Sequence, residues 1–99
     1  MLDFEHVIGF DWDVGNSRKN DKHGVSQAEA EQAFFNQPLV IASDEWHSSP
    51  SEARHYALGQ TDTAKVLHIT FTLRQGASLI RVISARTANR KEKLHYDKA

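Results

Sequence analysis

The 99-residue chain contains no cysteine. That absence removes disulfides, thiolate metal sites and thiol nucleophiles together, so any chemistry has to come from His, carboxylate, Lys, Arg, Tyr, Ser or Thr. No stretch approaches the roughly 18 apolar residues of a membrane-spanning helix, and the acidic start, with Asp3 and Glu5, lacks the basic region of a secretory signal. The chain therefore reads as soluble and cytoplasmic, with no membrane partner. Internal repeats and low-complexity linkers are missing as well, so residues 1–99 read as one domain. Of the six histidines, none forms an H-x-x-x-H pair or sits among carboxylates at ligand spacing, which leaves no metal pattern and implies no cofactor.

Charge of one sign is not in excess either: the formal net charge is -1, which by itself argues against a nucleic-acid partner. The balance is uneven along the chain. Residues 1–50 hold three Lys or Arg against nine Asp or Glu, whereas residues 51–99 hold nine against four. From Arg74 onward the only acids are Glu92 and Asp97. This basic quarter can face an anionic partner, or it can be a solvated helix whose charges confer solubility.

The pattern of elements predicts an α+β fold: an antiparallel twisted sheet with two N-terminal helices packed on it and a C-terminal helix. Val7 to Trp12 reads as a brief strand, residues 14–22 as a weak helix, and Gly24 as a left-handed closing residue. Ser26 and Glu29 form a capping box for a helix from Gln27 to about Asn36, with Val25, Ala28, Ala33 and Phe34 inward and Pro38 as the stop. Leu39 to Ala42 and Arg54 to Leu58 read as strands. Val66 to Leu73 alternates cleanly, a turn follows at Gln75-Gly76-Ala77, and Leu79 to Ala85 pairs back. Thr87 is placed to cap a last helix, Ala88 to Tyr96.

Arg81 is the most informative position, because it interrupts the apolar run Leu79-Ile80-Arg81-Val82-Ile83. A charge there needs a partner, either a carboxylate such as Glu52 or a bound anion, for which the guanidinium fork is suited. Arg86, five residues on, falls on the opposite face unless the strand ends or bulges near Ser84. Glu52, Arg54 and Tyr56 share one parity, and Glu52 with Arg54 can equally be a surface pair. His23, in Lys22-His23-Gly24-Val25, can act as a general acid or base or can simply order the helix corner. Trp12, between Asp11 and Asp13, can stack on a base or pack in the core. His68, on the polar side of its strand, reads as a half-exposed surface residue.

Taken in order, these pieces resemble the BrnT family of bacterial type II toxin-antitoxin toxins. The resemblance runs from Phe10 to Tyr96. It rests on Phe10-Asp11-Trp12-Asp13, on Lys22-His23-Gly24-Val25-Ser26, on the helix leading to Phe34 and Pro38, on Glu52-Ala53-Arg54, and on Ile80-Arg81-Val82-Ile83-Ser84-Ala85-Arg86, with Ala88, Glu92 and Tyr96 after it. The tail from Arg90 to Lys93 departs from relatives by mixing Lys with Arg, and the helix between Trp12 and Lys22 is about one residue shorter, which leaves open which of Asn16, Arg18 and Asn20 faces the site.

The resemblance implies a RelE/ParE-like fold, a metal-independent endoribonuclease that stops translation and growth, and neutralisation by a BrnA-type antitoxin. DNA is then reached only through the antitoxin complex. Cleaving RNA without a metal needs a base for the 2′-hydroxyl proton, cations for the phosphorane-like transition state and an acid for the leaving oxygen. His23 and Glu52 are the candidate base and acid, with Arg54, Arg81 and Arg86 on the phosphate. Trp12, Lys22, Arg74, Arg90 and Lys91 are candidate RNA contacts. A non-catalytic RNA- or protein-binding module, and a ParE-like toxin acting on a protein target, are the competing readings.

Overall fold

A computed structural model describes residues 4–99, with the side chains of residues 19–22 outside that description. The expectation for the Lys22 side chain thus lies outside the described residues. The elements are β1 (Gly9–Phe10), α1 (Val14–Lys22), α2 (Gln27–Phe35), β2 (Val40–Ser43), a single 3-10 turn (Glu45–His47), β3 (His55–Gln60), β4 (Val66–Arg74), β5 (Leu79–Thr87) and α3 (Arg90–Asp97). Among the described residues no helix is long and apolar enough to cross a membrane.

Helix α2 begins at the capping box read from the sequence: Ser26 accepts from the Glu29 amide while the Glu29 carboxylate accepts from the Ser26 amide. Gly24, at φ +73°, turns the chain from α1 into α2 in the left-handed region where a Cβ is costly. Ala28, expected inward, is exposed, and Ala30 is buried instead, together with Val25 and Ala33.

The strand order is β1-β5-β4-β3-β2. Strands β2 to β5 form an antiparallel meander, but β1 runs parallel to β5, with Gly9 opposite Leu79 and Phe10 opposite Ile80. The sheet is therefore mixed, which corrects the antiparallel expectation. Hairpin turns fix the direction of strands that are neighbours in sequence, whereas β1 meets a partner far along the chain and no local pattern reports its direction.

One face of the sheet is the core. Leu67, Ile69 and Phe71 of β4 are buried there against Val25, Ala30 and Ala33, with Ala57, Ile80, Val82 and Ala85 beside them. Phe34 meets Phe71 edge to face, with ring centroids 5.2 Å apart. Gly59 permits α2 to lie this close, because a Cβ there would overlap the Ala33 carbonyl oxygen.

The other face carries Tyr56, His68, Thr70, Thr72 and Ser84. The α3 end of this face is covered: Tyr96 packs on Leu58 and Val66 and donates its hydroxyl to the Pro38 carbonyl at 2.7 Å. Helix α3 starts later than Ala88, because β5 continues through Thr87 opposite Leu67. Asn89, not Thr87, is its cap, and Glu92 closes a second capping box.

A bulge in β5 decides which side chains reach this polar face. Thr70 pairs with Ser84 and Phe71 with Val82, so Ile83 has no opposite number. Ile80 and Val82 point to the core before it, and Ala85 does so after it. The phase change sets Arg81 opposite Thr72 and Arg86 opposite His68, so both arginines share the polar face. They remain about 13 Å apart along the strand, four residue steps of β4.

Candidate active site

Arg81 emerges beside the segment that leads from β1 into α1. Its Nη2 lies 2.9 Å from the Asp13 carboxylate and its Nη1 3.5 Å from that of Asp11. Its carboxylate partners are thus these two, and not Glu52. Asp13 also caps α1, accepting from the amides of Gly15 and Asn16 through Oδ1. The backbone N–H of Asn16 first, and Arg81 next, hold the Asp13 carboxyl below the usual carboxylate range. Asn16 is buried and fixes the segment: its Oδ1 accepts from the Asp13 amide at 2.7 Å, and its Nδ2 donates to the carbonyls of Asp11 and Val82.

Glu52 enters from the other side. It is bridged to Ser49 through its backbone, and its carboxylate lies 2.9 Å from Arg74 Nη2 and 3.5 Å from Arg54 Nε. Thr72 donates its hydroxyl to the Ala53 carbonyl at 2.8 Å and so sets this segment against β4. The result is a cleft of about 300 Å³ lined by Gly15, Asn16, Glu52, Arg54, Arg74, Arg81 and Ile83. Three guanidinium groups and one carboxylate thus converge on one opening, with Arg54 and Arg74 each engaging Glu52 through a single nitrogen. Their remaining N–H groups suit a phosphate.

The α3 end of the polar face holds a second charged group. Arg86 makes a two-pronged pair with Glu92, at 2.8 and 2.9 Å. That pairing first, with the Asn89 amide adding to it, holds the Glu92 carboxyl down to about 2 despite partial burial. His68 Nε2 lies 3.6 Å from Glu92 and its ring stacks on Tyr56 at 5.3 Å. Burial lowers the His68 pKa, and Glu92 only partly opposes this.

The cleft therefore gathers Glu52, Arg54, Arg74 and Arg81 from the residues singled out in the sequence. Arg86 is separate and occupied by Glu92. His23 is exposed at the corner after α1, about 10 Å along the helix axis from Asn16, and does not line the cleft. Trp12 is half-buried against the core and donates Nε1 to Glu31 at 2.8 Å. Arg90 and Lys91 are exposed on the first turn of α3. Of the three positions on α1 that could face the site, Asn16 lines the cleft and Arg18 is exposed, while the Asn20 side chain lies outside the described residues. The roles of Asp11 and Asp13 were not apparent from the sequence, although Asp-x-x-Asn at the head of a helix is a capping pattern that points to Asp13. Among the described residues no group of three or more His, Cys, Asp or Glu is placed to hold a metal ion.

Comparison with protein families matches residues 12–92 to the family model of the ribonuclease toxin BrnT of type II toxin-antitoxin systems. Comparison with curated proteins gives no match. The matched span contains every residue lining the cleft.

Proposed function

The chain belongs to the BrnT family of ribonuclease toxins of type II toxin-antitoxin systems, and from that premise we propose that it is a metal-independent endoribonuclease whose reaction takes place in the Glu52–Arg81 cleft. One observation carries this reading: three arginines and a single carboxylate line the same opening on the polar face. Glu52 takes the proton of the 2′-hydroxyl, and the 2′-oxygen attacks the adjacent phosphorus. The bond from phosphorus to the 5′-oxygen breaks, leaving a 2′,3′-cyclic phosphate, and the departing oxygen takes a proton from water. Arg54, Arg74 and Arg81 stabilise the charge that gathers on the phosphoryl oxygens. Arg86 holds α3 to the sheet, and His23 has no step at the phosphate.

The reaction acts on cytoplasmic RNA to block translation and growth. A BrnA-type antitoxin neutralises it, and DNA is contacted only through that complex. Induced expression with and without the cognate antitoxin tests this. Growth arrest with fragmented RNA, relieved by the antitoxin, is the expected result. Arrest with intact RNA would move the target to a protein, and harmless expression would overturn the toxin reading.

A further inference from the structure

Trp46 is 95% exposed, more than the other large apolar side chains exposed among the described residues. An indole in water is unusual on a short ordered turn, and this turn is firmly held. The Asp44 carboxylate accepts from the His47 amide and lies 2.8 Å from His47 Nδ1. The Asp44 amide donates to the Arg54 carbonyl at 2.9 Å, and the Ser48 hydroxyl accepts from the Arg54 amide at 2.9 Å while donating to the Asp44 carbonyl at 2.6 Å. The turn is thus fastened to the backbone of a residue whose side chain lines the cleft. Asp44 also continues the alternation of β2 in which Ala42 lies opposite Tyr56, so the turn forms a rim of the polar face.

We propose that Trp46 is a stacking platform for one base of a single-stranded RNA whose neighbouring phosphate lies in the Arg54–Arg81 cleft. The inference rests on the ribonuclease reading and adds to it a substrate class, RNA with an unstacked base. The surroundings favour a base over a protein surface. Trp46 stands alone among Glu45, His47, Ser48 and Ser49, whereas the apolar groove of about 600 Å³ formed by Phe10, Phe34, Phe35 and Leu39 lies toward α2 and the edge strand β1. A nucleobase needs one flat apolar face with its edges left in water and a cation near its phosphate. Duplex RNA keeps its bases stacked on one another and offers none to the indole.

The test compares wild type, Trp46→Phe and Trp46→Ala on a labelled single-stranded RNA and on the same sequence as a duplex. Trp46→Ala is expected to raise KM about tenfold or more with kcat nearly unchanged, and Trp46→Phe to restore most of the loss. The single strand is expected to be cut and the duplex spared. Because the side chain is exposed, melting temperatures should agree, which separates lost stacking from lost folding. Equal KM values for wild type and Trp46→Ala on a single strand that wild type cleaves would overturn the platform and leave the ribonuclease reading standing. Weakened antitoxin binding by Trp46→Ala at unchanged KM would assign the indole to a protein contact and overturn the inference likewise. A wild-type protein that cuts no RNA would overturn both.

Discussion

The side-chain amide of Asn16 donates to the Val82 carbonyl at 2.9 Å, joining α1 to the strand residue next to Arg81. The same side chain holds the Asp11 carbonyl and the Asp13 amide, so one buried residue positions the carboxylates that face the arginine. Replacing it with Ala removes three hydrogen bonds and leaves polar backbone groups unsatisfied. Asn16→Ala should lose about 2–3 kcal/mol of stability, seen as a melting temperature lower by about 10 °C or more. An unchanged melting curve would show that the segment is held by other contacts.

Close approach of α2 to β3 gives a second expectation. Gly59→Ala would drive a methyl group into the Ala33 carbonyl oxygen, and both partners are backbone or helix that cannot rotate away. A loss of about 3 kcal/mol is expected on denaturant titration. Ala at position 59 with wild-type stability would mean that the helix shifts freely on the sheet.

Acid should weaken the fold through Glu92. Its carboxyl is held at about 2, below an ordinary 4.5, chiefly by Arg86. A depressed carboxyl contributes its stability fully above the unfolded value and loses it as pH falls from about 4.5 toward 2. Allowing for the partial exposure of Arg86, the contribution is about 2 kcal/mol. Glu92→Gln should therefore melt lower at neutral pH, and its melting temperature should change less than wild type across that acid window. Parallel curves for the two proteins would refute the coupling.

His23 supplies a negative prediction. It is exposed and does not line the cleft, so His23→Gln should cleave RNA within about threefold of wild type, far less than the 10²-fold or more expected for a proton-transfer group. A loss on that larger scale would place His23 at the reacting phosphate.

Local signals in the sequence carried much of the fold. The Ser26–Glu29 box, the alternation of β4 and the Gln75–Ala77 turn each depend on neighbours a few residues apart, and each appears where expected. What escaped is non-local. The two-residue β1 is defined by pairing with β5, and its direction has no sequence signature. The start of α3 moved because the pairing of Thr87 with Leu67 outweighed its capping preference. The uniformly apolar flanks of Arg81 hid the Ile83 bulge, so the shared face of Arg81 and Arg86 was legible only as a condition. Within the cleft, Arg81 was marked by its charge in an apolar run, Glu52 and Arg54 by shared parity, and Arg74 only as the start of the basic quarter. The burial of Asn16, and the exposure of Trp46 on the turn outside the cleft, depend on packing that spacing does not report.

RNA cleavage at the Glu52–Arg81 cleft is tested most directly by single-turnover kinetics on a labelled single-stranded RNA in excess chelator, comparing wild type with Glu52→Gln and Arg81→Ala. Wild type should cut and leave a 2′,3′-cyclic phosphate, and each variant should be slower by about 10²-fold or more while still folding. Undiminished cleavage by either variant, or cleavage that stops when chelator is added, would contradict it.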